Sequence, residues 1–391
     1  MELVARAYDT SRPIWLRLQD GRVAEARTVP EERHAAALPW VAPGLVDIQV
    51  NGYGGQEFSS LDLTPERVAE IARQHDAWGV TAFCPTLTTQ SFACLAHGLG
   101  AIARACESDR EVQRLVWGIH LEGPYFCPED GPRGAHPREH CRRPDWDEFL
   151  RLQEAAGGRI RILTMSPEFE EAPAFISRAA AAGVVVALGH MGATAEQIRA
   201  AVDAGARLST HLGNGAHRML PRHPNYLWDQ LAEDRLLASL IVDGHHLPPE
   251  VVKVFVRAKT PERLVLVSDL SGLAGLPPGR YTSSGCEVEI LDDGRLVIAG
   301  QQQLLAGASR PLGMGVINVM RYAGVDLATA IAMASARPAC LLGRRCGGLR
   351  PGDPAELVLF DLRENPPEFS VRATIAGGRV VAGSLPAYQP L

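Results

Sequence analysis

The chain has 391 residues, 46% hydrophobic and 21% charged, a composition that gives an enzyme-sized globule a substantial core and excludes a disordered or fibrous protein. Its 39 basic and 45 acidic side chains leave a formal charge of −6 and no Lys/Arg run that could track a phosphate backbone, so nucleic acid is not an expected partner. No stretch approaches the roughly 18 uncharged apolar residues of a membrane span, and MELVARAYDTSRPIW lacks the basic start and apolar centre of a signal peptide, so the expected location is cytoplasmic.

In chain order, PIWLRLQDGRVAEARTV places an Asp-Gly turn between alternating apolar residues, the pattern of a hairpin. Short apolar, β-branched runs follow: GLVDIQV (44–50), VTAFC (80–84), LVWGIHL (115–121), RIRILTM (159–165), VVVALGH (184–190), RLSTHL (207–212), ASLIVD (238–243) and LVLVSD (264–269). Between most of them lie segments of helical spacing, such as TPERVAEIARQHDAWG and TAEQIRAAVDAG, that close near Gly or a polar turn. Eight units of this kind predict a (β/α)8 TIM-like barrel over residues 44–344. CEVEILDDGRLVIAG (286–300) reads as a further hairpin whose packing the sequence does not place, and PAELVLFDLRENPPEFSVRATIAGGRVVAG is again β-rich. Residues 1–43 and 345–391 are therefore expected to build a small β-sandwich domain jointly.

The eight cysteines form no Cys-x-x-Cys pair, and a chain this large needs no disulfide framework; they read as reduced, mostly buried small hydrophobes.

A barrel enzyme assembles its site at the C-terminal ends of its strands. The polar residues ending the runs are Gln49 and Asn51, His120 and Glu122, His190, His211 and Asp269. One strand-end histidine is ordinarily structural. Glu122, His190 and His211 at separate strand ends instead form a carboxylate and two imidazoles, a ligand set that leaves an open position for water. Of the pair on the third run, Glu122 lies nearer the mouth and is preferred as ligand, with His120 supporting from behind. Asp269 reads as a proton carrier, the alternative being a helix cap.

PGLVDIQVNGYGG, HLEGPYF, GHMGAT, THLGNG, DGHH, SDLSGLAG, LAGA and LRPGDPAELVLFD resemble, in order and spacing, the N-acetylglucosamine-6-phosphate deacetylases of the amidohydrolase superfamily. The resemblance covers almost the whole chain. It implies that Glu122, His190 and His211 hold one divalent metal ion per chain and that Asp269 is the general acid/base. Zinc is expected from the ligand types, and Fe2+, Mn2+ or Co2+ would fit the same set. Many amidohydrolases carry His-x-His after the first strand for a second metal; Gln49 and Asn51 stand there in this chain, and neutral amides are poor ligands.

The resemblance further implies that His136 polarises the acetyl carbonyl, against a reading as an exposed loop histidine. It places Asn214, Gly215, Arg222, His246 and Leu305, the last in LAGA, on the sugar phosphate, and it implies a homodimer with the phosphate-contacting Arg and His across the interface. The loop NGAHRMLPRHPNYLWDQ departs from the family pattern: His217, Arg218, Tyr226 and Trp228 are additions that could reshape the pocket, and Arg218 and Arg222 could be solvated loop charges. The expected reaction is hydrolysis of the acetamide of N-acetylglucosamine 6-phosphate to glucosamine 6-phosphate and acetate. Its rivals are another N-acyl or cyclic-amide hydrolase with a carboxylate or unphosphorylated sugar substrate, and a non-catalytic barrel.

Overall fold

The structure is a computed structural model describing residues 1–30, 38–283 and 286–385, without the side chains of 286, 302–304 and 364. All eight runs appear as strands of one parallel sheet: β1 (Leu45–Val50), β2 (Val80–Thr88), β3 (Ile119–Glu122), β4 (Ile160–Met165), β5 (Val185–Leu188), β6 (Leu208–Ser209), β7 (Leu237–Ile241) and β8 (Leu264–Val267). Neighbours in sequence are neighbours in the sheet. The barrel closes where the Asp269 N–H donates to Gln49 O at 3.0 Å and the Asn51 N–H donates to Leu270 O at 2.8 Å.

Val46, Ile48, Ala82, Ile162, Ala187 and Val265 fill the barrel interior, and a larger core lies between the sheet and its helices. The helices expected from spacing include Pro65–Ala77, capped by Thr64, and Ala195–Asp203, which carries a reciprocal Thr194/Gln197 capping box. Most strands stop short of the apolar runs that announced them. At the N-terminal side of β3, Arg110–Leu115 is a helix, so Leu115 belongs to helix packing rather than to the strand. At the mouth, β5, β6 and β8 end before His190, His211 and Asp269, which adopt left-handed φ of 53°, 30° and 51°. Such backbone cannot continue a ladder.

Both chain ends contribute to one seven-stranded sheet in the order Arg379–Gly383, Pro367–Ala376, Leu357–Glu364, Trp40–Pro43, Glu2–Ala7, Pro13–Gln19, Arg22–Thr28. It folds over on itself: Leu16, Leu18 and Val23 from one end share a core with Ala373 and Ile375 from the other. The expected Asp20-Gly21 turn is present, with both residues at positive φ as a tight hairpin requires.

The 286–300 segment is a hairpin within a four-stranded antiparallel sheet, Gly279–Ser283, Cys286–Ile290, Leu296–Ile298 and Gln301–Leu305. Val288, Ile290 and Leu296 pack against Leu273 just beyond β8, which sets this sheet at the barrel mouth. Among the described residues no helix is long and apolar enough to cross a membrane. The seven cysteines with described side chains are free thiols; Cys84, Cys94 and Cys106 are buried and Cys340 is exposed.

Candidate active site and its metal-ligand set

The barrel mouth opens into a cavity of about 580 Å³ whose floor is formed by Glu122, His190, His211, Asp269, Asn51 and His136. His190 Nε2 lies 3.2 Å and His211 Nε2 3.0 Å from Glu122 Oε1, and the two nitrogens are 3.0 Å apart. Donor atoms around a tetrahedral ion at about 2.0–2.1 Å are themselves separated by about 3.3 Å, so this triangle is close to one face of such a site. His190 Nδ1 donates to Pro132 O at 2.9 Å, which puts the ring proton away from the cluster and leaves the Nε2 lone pair facing it. Glycines shape this slot: a Cβ at Gly215 would stand 2.7 Å from His190 Nδ1, and one at Gly134 would stand 3.3 Å from His190 Cε1. The residues fit a divalent metal ion, as a His/His/Glu cluster does.

Burial alone would raise the Glu122 carboxyl, but its close contacts with the His190 and His211 imidazoles outweigh it and hold the group well below the usual carboxylate range. Burial also depresses His190, whereas at His211 the hydrogen bond to Glu122 overcomes burial and raises the imidazole.

His136 Nε2 stands 3.2 Å from His190 Nε2, and with Glu122 and His190 it forms a second possible ligand triad. The opposite edge of the ring distinguishes the two uses. The Thr89 N–H donates to His136 Nδ1 at 3.3 Å, so the neutral ring carries its proton on Nε2 and presents a donor to the cavity. Phe126 packs edge-on against His136 and tilted against His190, fixing both rings.

His120 is turned away from this cluster. Its Nδ1 donates to Ile48 O at 3.0 Å, its Nε2 accepts from Thr164 Oγ1 at 2.7 Å, and burial pushes it down to about 4. Asp269 is held from two sides by the first strand's end: Asn51 Nδ2 donates to its Oδ1 at 2.8 Å and Gln49 O accepts its N–H. Burial, with the Glu122 charge adding to it, pushes its carboxyl up to about 6. Gln49 is buried, and its Nε2 has no hydrogen-bond partner among the described residues.

Asn214, Gly215, His246 and Leu305 line the cavity. His246 is braced by Asp243, whose Oδ2 accepts from Nδ1 at 2.9 Å and whose Oδ1 accepts the His245 and His246 N–H groups. Arg222 is exposed and outside the cavity lining, as is Trp228, whereas His217 and Arg218 belong to it. Sequence reasoning passed over three more lining residues, Glu57, His245 and Arg295. Arg295 follows an Asp-Gly turn and reads as an ordinary hairpin charge; only the packing of its sheet at the mouth brings it to the cavity. The Asn51 to Asp269 bond was equally invisible, since it joins the first strand to the last.

The Amidohydrolase family model matches residues 40–381. The chain is 35% identical over 371 residues to the N-acetylglucosamine-6-phosphate deacetylase of Bos taurus, covering 91% of this chain and 87% of that protein. It is 34% identical over 351 residues to the N-acetylgalactosamine-6-phosphate deacetylase of Escherichia coli O157:H7, covering 88% of this chain and 90% of that one. In structure it superposes with a TM-score of 0.85, at 29% identity over 97% of this chain and 99% of the other, on a mutant Mycobacterium smegmatis N-acetyl-D-glucosamine-6-phosphate deacetylase in complex with N-acetyl-D-glucosamine-6-phosphate. The buried carboxylate and imidazoles at the mouth of a closed parallel barrel thus have their counterpart in ancestry: the chain belongs to the amidohydrolase family, within its N-acetylglucosamine-6-phosphate deacetylases.

Proposed function

We propose that this enzyme hydrolyses the acetamide of N-acetylglucosamine 6-phosphate, releasing acetate and glucosamine 6-phosphate. The observation that carries the reading is the convergence of Glu122, His190 and His211 within 3.2 Å of one another, beside Asp269, in a chain whose relatives bear that activity in their names. Glu122, His190 and His211 would hold the metal ion, zinc by ligand type, which supplies Lewis acidity and an activated water when bound.

The chain's own residues manage the protons. Asp269, fixed by Asn51, takes a proton from the attacking water. His136 Nε2–H donates to the acetamide oxygen as negative charge grows there. Asp269 then delivers its proton to the departing amine nitrogen.

Arg218 and Arg295 bring guanidinium groups to the cavity wall, beside the imidazoles of His245 and His246, and suit it to a sugar phosphate. Arg222 lies outside the lining of its own cavity, so its contact with substrate would come from a second copy of the chain, which fits a homodimer. A cytoplasmic location accords with a phosphorylated substrate. The Escherichia coli relative favours a second reading, the galacto epimer, on the same catalytic residues. Acetate release from both phosphorylated sugars and from unphosphorylated N-acetylglucosamine tests these readings together. No release from any of them sinks the proposal, and release from the unphosphorylated sugar alone removes the phosphate from it.

A further inference from the structure

His217 joins two loops over the cavity. Its Nε2 is 3.0 Å from Glu129 Oε1, its Nδ1 is 2.9 Å from the Tyr226 hydroxyl, and its backbone N–H donates to that hydroxyl at 2.7 Å. One proton arrangement satisfies every group: Tyr226 accepts from the backbone and donates to Nδ1, and Nε2–H donates to Glu129. The ring sits in a slot made by glycines, since a Cβ at Gly192 would stand 2.9 Å from its Cε1 and one at Gly131 would stand 3.2 Å from its Cα.

The two ends of this bridge differ in rigidity. Tyr226 is buried and begins the helix Tyr226–Ala232, capped by Asn225, so it is an anchored point. Glu129 lies in the irregular segment after β3. That same segment carries Pro132, whose carbonyl orients His190, and His136, whose Nε2 points at the cluster. The bridge through His217 ties the outer part of this segment to the loop after β6.

We propose that His217 is a positioning residue for the metal centre: bridging Tyr226 and Glu129, it holds the 127–137 segment so that Pro132 keeps His190 turned toward Glu122 and His136 stays in line. The inference rests on the metal-hydrolase reading of the site but not on the identity of the sugar. His217 also lines the cavity, and a direct contact with substrate is the competing role, which the experiment separates.

The test compares His217→Ala, Tyr226→Phe, Glu129→Ala and Glu129→Gln in the metal-loaded enzyme, by the rate of metal loss to a chelator without substrate and by kcat and KM. Supporting residues behind a metal ligand affect metal affinity or activity by about 10–100-fold. His217→Ala, Tyr226→Phe and Glu129→Ala should therefore speed metal loss about tenfold and lower kcat with KM within about twofold. Glu129→Gln, which keeps an acceptor for Nε2–H, should recover most of the loss seen in Glu129→Ala. Unchanged metal loss with a raised KM overturns the proposal and makes His217 a substrate contact. Failure of Glu129→Gln to improve on Glu129→Ala overturns the hydrogen-bonded bridge. Because metal loss is read without substrate, a protein that holds its metal but does not cleave the proposed sugar phosphate leaves this result standing while the functional reading falls.

Discussion

Asn51 Nδ2 donates to Asp269 Oδ1 at 2.8 Å, so an amide at the end of the first barrel strand holds the carboxyl at the end of the last. The end of the first strand thus carries a residue that orients the proposed proton carrier. Removing that orientation should lower turnover more than binding. Asn51→Ala is expected to reduce kcat about tenfold with little change in KM, and Asp269→Asn to reduce it by roughly 10²-fold or more while metal content is kept, the usual scale for a lost general acid/base. Steady-state kinetics with metal analysis on both variants checks this; a fully active Asp269→Asn would move the role to another group.

The protein should bind about one divalent ion per chain, because the residues at the end of the first strand, Gln49 and Asn51, are neutral amides and poor ligands for a second ion. Exhaustive chelation should abolish activity and a single equivalent of zinc should restore it. His190→Ala and His211→Ala should each lose metal, since each removes one of the Nε2 atoms that stand 3.2 Å and 3.0 Å from Glu122. Elemental analysis giving two tightly held ions per chain would refute the single-site assignment.

The proposed phosphate recognition divides between a residue in the cavity and one outside it. Arg295 lines the cavity and is steadied by Asp293 Oδ2, which its Nε meets at 2.7 Å. Arg295→Ala should weaken the phosphorylated sugar by about 1.5–3 kcal/mol, the range for hydrogen bonds to charged groups, and spare the unphosphorylated one. Arg222→Ala should act the same way only where a second copy is docked, so its effect should fade on dilution to monomer. A loss that is equal for both sugars counts against the phosphate assignment.

Asp47 predicts a pH dependence of stability. Burial, opposed by hydrogen bonds from Ser268 and Gln49, pushes its carboxyl up to about 7 in the fold, whereas an unfolded Asp titrates near about 3.9. Between those values the folded state retains a proton that the unfolded state has lost, so this group makes stability fall as pH rises from about 4 to about 7. Asp47→Asn should remove that slope, and its melting temperature should decline less than that of the wild type across the window. Parallel curves would show that Asp47 is ionised in the fold throughout.

The barrel was legible because strands such as β2 and β8 are buried on both faces and so read as apolar runs, whereas β6, reduced to Leu208–Ser209 in the ladder, comes from the mixed run RLSTHL. The strand-end rule then gathered Glu122, His190, His211 and Asp269 from separate parts of the chain, and they do meet. What stayed hidden depends on tertiary direction. Periodicity cannot show that His190, His211 and Asp269 leave the β region at positive φ, a conformation whose cost the surrounding packing must sustain. Nor could it tell that Arg222 lies outside the cavity lining while Arg295, far along the chain, belongs to it. The 286–300 hairpin was readable as a hairpin, but its place at the mouth follows from the packing of Val288 and Leu296 on Leu273.

The shared sheet of the two chain ends also orders events on the ribosome. Trp40–Pro43 pairs with Glu2–Ala7 on one side, while its other edge is covered by Leu357–Glu364. Every barrel strand must therefore be synthesised before that edge is closed, which at roughly 5–20 residues per second is a delay on the order of tens of seconds. During it the nascent chain presents an unpaired strand, with Val41 and Ala42 destined for full burial, as a template for association with other chains. Truncation before Leu357 makes this passing state permanent, and the solubility of such a fragment measures the hazard that each newly made chain must outlast.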